Sequence, residues 1–270
     1  MGAFRLFAFG PDVPNLWGMP APSPANSRPG GADALPRCAV CGTGSRQAPF
    51  RSNPAEQAPD LDLRPGEPVR STMARWLQQC PSCGYAAPNI GRAHPAAAQA
   101  VLAAPFRSLM ADASYPPLAR RFLAWSHVLE ETGALHAAAE ASLQAAWVAD
   151  DLSRPDLARS WRFDAVALWR SGPPLDAEQI VRIVDALRRA EAWDDADATA
   201  AALARTNPPE AVAQVLALER RLISAGDSGR HTVASALPPP SRRPHVTHQQ
   251  RIAVRSEPFL ARLRRWFRGG

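Results

Sequence analysis

The chain has 270 residues, 46% of them hydrophobic, and all 31 of its basic residues are arginine. The lack of lysine excludes a phosphate-loop lysine, a Schiff-base lysine and a kinase-type lysine. The net charge of +6 is uneven: residues 228–270 hold nine arginines against one glutamate, whereas 95–227 hold 13 arginines against 18 acids. The basic character therefore sits on a tail rather than on a folded face, where a nucleic-acid binder would carry it.

Residues 1–36 are rich in Pro, Gly and Ala and carry no lasting period, so a flexible arm is expected there. Their opening "MGAFRLFAFGPDVP" has an apolar run broken by Arg5 and stopped by Gly10 and Pro11, too short for an export signal. No run in the chain reaches the roughly 18 apolar residues that cross a bilayer. A cytoplasmic, reducing location is therefore expected, and paired cysteines there read as metal ligands before disulfides.

Residues 37–94 carry every cysteine of the chain, in "CAVCG" and "CPSCG". Cys38, Cys41, Cys80 and Cys83 thus form two Cys-x-x-Cys-Gly knuckles, a donor set suited to one tetrahedral, structural Zn²⁺. The two-residue gap lets both sulfurs of a knuckle face one point, and the glycine frees the backbone to turn toward them. The long separation of Cys41 from Cys80 is tolerable because loop-closure cost grows only logarithmically with length. Four protein ligands close the sphere and leave no position for substrate or an activated water. Two other readings of the thiols stand beside this one: a redox dithiol, to which Pro81 lends some support, and incidental free cysteines. His94 is the nearest histidine, an alternative ligand or a helix-start residue. Residues 71–79, "STMARWLQQ", alternate in a way that predicts a strand feeding the second knuckle.

From 95 to 227 the period becomes helical. Leu118, Phe122, Trp125 and Leu129 form one stripe, Leu157, Trp161 and Leu168 another. Ile180, Ile183, Val184 and Leu187 follow, then Val212, Val215, Leu216, Leu222 and Ile223. Breaks at Pro116-Pro117, Thr132-Gly133, Pro155, Gly172-Pro173-Pro174 and Asn207-Pro208-Pro209 divide the block into about six helices. Asp176 with Gln179 predicts a capping pair. Two segments, beginning at Thr132 and Ala190, place small residues at close spacing: Ala138, Ser142 and Ala145, then Ala196 and Ala200, with Leu203. These resemble the second helix of a tetratricopeptide repeat. The expected fold class is thus mainly α: a small β-rich zinc ribbon followed by tetratricopeptide-like helical hairpins.

"CPSCGYAAPN" together with "AAWVADD" resembles an uncharacterised bacterial family that joins a double-knuckle zinc ribbon to such helices. The resemblance covers about residues 37–205. It implies a fold and a metal held by Cys38, Cys41, Cys80 and Cys83, and no reaction.

No HExxH, GxSxG, GxGxxG or HxE with a downstream PCxxC occurs, so no catalytic residue is assigned and a non-enzymatic protein is expected. His136 and Glu140 stand four apart on a helix and read as an ordinary surface pair. Asp150 and Asp151 close a helix against its dipole, which suggests a partner such as the next helix or an arginine. Trp125, Trp147, Trp161 and Trp169 read as core rather than as an aromatic groove.

Residues 228–251 read as a linker, and 252–270 as a basic tail helix. Over 259–268, Phe259, Leu260, Leu263, Trp266 and Phe267 share a face, with Arg262, Arg264, Arg265 and Arg268 around it. Such an element can dock on the acidic helical body, lie peripherally on an anionic membrane, or contact nucleic acid. Together these features predict a zinc-binding interaction scaffold with a protein partner on its helical surface. The alternatives are a nucleic-acid-binding or regulatory protein using the arginine-rich tail and, third, a Cys-x-x-Cys thiol redox protein.

Overall fold

The structure, a computed structural model, describes residues 35–50 and 54–237. The arm expected over 1–36, apart from its last two residues, and the tail helix expected over 252–270 lie outside the described residues.

The fold is mainly α. Two short helices, α1 (Ala97–Leu102) and α2 (Ala104–Ala111), precede α3 (Pro117–Glu130), α4 (Leu135–Asp151), α5 (Pro155–Ser171), α6 (Ala177–Arg189), α7 (Trp193–Ala204) and α8 (Glu210–Ser224). A last turn, α9, spans Val233–Ala236. The breaks follow from local chemistry. Pro117 and Pro155 open α3 and α5 at positions where a missing N–H costs nothing. Gly133 takes a φ of +72° between α3 and α4. Asp176 and Gln179 form the full capping box: the Gln179 N–H donates to Asp176 Oδ1 at 2.8 Å, and the Asp176 N–H donates to Gln179 Oε1 at 3.0 Å.

Helix α4 packs along both α3 and α5, and α6 packs on α7 and α8. The small residues make the close approach possible. Ser126 on α3 donates to the carbonyl of Ala138 at 2.8 Å, and Ser142 on α4 donates to that of Trp161 at 3.1 Å. Trp147, Trp161 and Trp169 are buried in the main core, and Trp125 packs at its edge.

The β content is small: β1 (Gln78–Gln79) pairs antiparallel with β2 (Ala86–Ala87). The strand expected over 71–79 is mostly a 3-10 turn, Arg70–Arg75, followed by β1. Met73, Trp76 and Leu77 are its buried residues, and their spacing of three and four is that of a helical turn.

The segment between the knuckles does more than connect them. Asp60, Leu61, Asp62 and Arg64 are buried, and Leu61 packs with Val181, Val184 and Leu216. The Leu61 N–H donates to the His231 carbonyl at 3.0 Å and the Val233 N–H to that of Pro59 at 2.9 Å. The start of the expected linker thus lies against this loop, and the compact unit that holds the described residues ends at Leu237. Among the described residues no helix is long and apolar enough to cross a membrane.

Candidate metal centre

The two knuckles repeat one backbone design. In the first, the Cys38 N–H donates to the Thr43 carbonyl at 2.9 Å and the Gly42 N–H to the Cys38 carbonyl at 2.8 Å. In the second, the Cys80 N–H donates to Tyr85 at 2.9 Å and the Gly84 N–H to Cys80 at 3.1 Å. Gly42 and Gly84 close these turns with φ of +76° and +77°, a region that side chains with a Cβ enter at a cost.

The knuckles meet through their neighbours. The Ala39 N–H donates to the Ile90 carbonyl at 2.8 Å, which ties the first knuckle to the turn that follows β2. Tyr85 is fully buried, and its hydroxyl donates to the Arg92 carbonyl at 3.0 Å while accepting from the His94 N–H at 3.1 Å. Cys38 and Cys80 share one apolar cluster with Val101, Phe106, Ala124 and Val128, so α1, α2 and α3 back the site.

All four sulfurs lie within 4.8 Å of one another. Short contacts run between knuckles: Cys41 to Cys80 at 3.5 Å and Cys38 to Cys83 at 3.8 Å. A disulfide would bring two sulfurs to about 2.05 Å, so these are four separate thiols. A tetrahedral ion with metal–sulfur bonds of about 2.3 Å sets its sulfurs about 3.8 Å apart. The donor set fits such an ion.

Burial pushes the Cys38 and Cys83 thiols above their usual range. Cys41 is exposed, and contact with the Thr43 hydroxyl, 3.3 Å away, holds its pKa down to about 6. A cation among the sulfurs would remove the cost of burying thiolate, because it supplies the compensating charge.

Other residues singled out by pattern do not join this cluster. His94 is edge-on to Trp125, with centroids 5.4 Å apart, and burial lowers its pKa. His136 Nε2 lies 3.1 Å from the Pro173 carbonyl, while Glu140 accepts from Arg182 at 2.6 Å, so that pair is divided between two partners.

Asp150 and Asp151 do find arginines. Asp151 takes both Nη atoms of Arg64, at 2.9 and 2.5 Å. Asp150 takes those of Arg162, at 3.1 and 2.5 Å, and accepts from Arg189 at 2.6 Å. Arg189 also donates to Asp62 Oδ2 at 3.0 Å, and Trp147 Nε1 donates to the same oxygen at 2.7 Å. Asp62 is thus the buried node through which the inter-knuckle loop is held on α4 and α6. Sequence reading missed it, because no local pattern links "DLDLR" to arginines more than a hundred residues away.

No family model matches this chain, and no curated protein or solved structure matches it either.

Proposed function

We propose that the chain is a non-enzymatic interaction scaffold. One structural Zn²⁺ on Cys38, Cys41, Cys80 and Cys83 staples its N-terminal unit, and tetratricopeptide-like hairpins of the helical body hold a protein partner. The observation that carries this reading is the convergence of four sulfurs within 4.8 Å. An all-thiolate tetrahedral set suits zinc, and a cluster of several irons would need its sulfurs further apart. Four thiolates leave no open coordination position, which is the arrangement of a structural rather than a catalytic metal. The bacterial family that the knuckles and helices resemble belongs to the same proposal.

A redox dithiol would need each Cys-x-x-Cys pair to act alone. Here sulfur contacts of 3.5 and 3.8 Å run across the two pairs, which favours one shared ion. The nucleic-acid reading rests on the arginine-rich tail, outside the described residues.

Metal analysis with thiol titration tests the proposal. One zinc per chain, with thiols that react only after chelation, is the expected result. A purified full-length protein carrying no metal and four freely reactive thiols would end it.

A further inference from the structure

A groove of about 960 Å³ opens beside the second knuckle. Leu77, Val101 and Phe106 form its buried floor, and Met110 is partly exposed in it. Leu102 stands at its side, 70% exposed, the most exposed large hydrophobic residue among those described. Arg46, Arg75, Arg107 and Arg121 also line it, and no acidic residue does.

The buried arginines elsewhere are different: Arg64 of the inter-knuckle loop and Arg162, Arg182, Arg188 and Arg189 of the helices each sit in an ion pair. Among the described residues, the four groove arginines have no carboxylate partner. Arg121 is held in place nonetheless: its Nη1 donates to the carbonyls of Ala74 at 2.9 Å and Leu77 at 3.1 Å. Its Nε is buried without an acceptor. A guanidinium fixed by carbonyls and left without an anion is preorganised to receive one.

The neighbouring strand edge is closed to backbone pairing. The Gln47 side-chain amide donates to the Gln79 carbonyl at 3.0 Å and accepts from its N–H at 3.2 Å. Those are the two bonds an added strand would make, so a ligand here is read by its side chains.

We infer that this groove binds an acidic, apolar peptide segment of a partner protein. Its carboxylates meet the four arginines, and a large aliphatic or aromatic side chain covers Leu102 and the accessible part of Met110. The inference rests on the scaffold reading and names the partner's chemistry. Charge complementarity selects this occupant. Neither residues 228–270, which are strongly basic, nor residues 1–34, which balance two aspartates with two arginines, match that charge. Nucleic acid fits less well, because Phe106 is 1% exposed and offers no open face for base stacking, and phosphates would leave the apolar surface bare.

Selection of a displayed library of random 12-residue peptides on the full-length protein tests this. Enriched sequences should combine Asp or Glu with Leu, Ile, Met or Phe. A fluorescein-labelled winner should lose at least about tenfold in affinity on Arg75→Glu/Arg107→Glu, and weaken as salt rises. Both positions are exposed. Should the double variant lose metal or helical signal, Arg75→Ala/Arg107→Ala gives the same comparison with a smaller expected loss. A labelled single-stranded DNA oligonucleotide is run beside it. Tighter binding of DNA through the same arginines overturns the proposal, as do neutral or basic winners or the absence of enrichment. Acidic winners indifferent to the substitutions remove this groove while leaving the scaffold reading standing.

Discussion

Two buried carboxylates respond to the same low-dielectric interior in opposite ways. Burial alone would raise the pKa of Asp62, but the charges of Arg189 and Arg162 outweigh it and hold it below the usual aspartate range. Its contribution to stability is therefore full above the unfolded value near 3.8 and disappears as pH falls through the folded value. Asp62→Asn should cost about 3 kcal/mol near neutral pH, since it leaves buried guanidinium short of its partner. In urea denaturation the gap between variant and native protein should narrow as pH drops below the ordinary aspartate range. A constant gap would mean that Asp62 acts by shape alone.

Glu219 is the reverse case. Burial and the nearby Asp185 charge push its pKa well above 4.5, against the pull of Arg188, which donates to it at 2.7 Å. An acid whose folded pKa is raised loses stability as pH climbs above its unfolded value. Glu219→Gln keeps an acceptor for Arg188 and removes that loss. The variant should match the native protein in acid and become increasingly more stable toward neutral pH, measured by the same denaturation series. At this scale the cysteines were legible because their spacing is local. Neither carboxylate was: Asp62 meets Trp147 and Arg189 across 85 and 127 positions.

At the scale of the element, each knuckle depends on a glycine, and the two glycines differ in what surrounds them. A Cβ at Gly42 would meet nothing within 4 Å. One at Gly84 would lie 3.2 Å from Met110 Cγ and 3.4 Å from Phe106 Cε1. Gly42→Ala should lose only the cost of positive φ, about 1–2 kcal/mol. Gly84→Ala should lose more, because Met110 must also shift. Zinc retention against a competing chelator ranks them; equal losses would show that α2 yields freely beneath the second knuckle.

The helix limits were readable because Pro117, Pro155, Gly133 and the Asp176 capping box act within a turn of their own position. The strand expected over 71–79 was misread for a related reason. Its polarity does not in fact alternate: Met73, Trp76 and Leu77 stand three and four apart, the spacing of a helical turn, and all three are buried in the main core, which fits the 3-10 turn found there.

Over the whole molecule, the inter-knuckle loop gives the metal site and the helices a common foundation. Cys38 and Cys80 share a cluster with α1, α2 and α3, while Met73, Trp76 and Leu77 enter the main core. Pattern analysis divides the chain near residue 94 because the hydrophobic period changes there. It carries no information on side chains that pack across the change. Chelation should therefore raise amide exchange over 35–50 and 78–111 while α4 to α8 stay protected, since their core holds no ligand. Uniform loss of protection would show that the metal supports the entire fold.

The proposed centre is one zinc ion held by four thiolates drawn from both knuckles. X-ray absorption at the zinc edge of the purified full-length protein addresses metal and ligands together. The expected spectrum shows a first shell of four sulfurs at about 2.3 Å, with Cys80→Ser losing the signal. Nitrogen or oxygen in that shell, or a folded protein with no zinc edge, would contradict it.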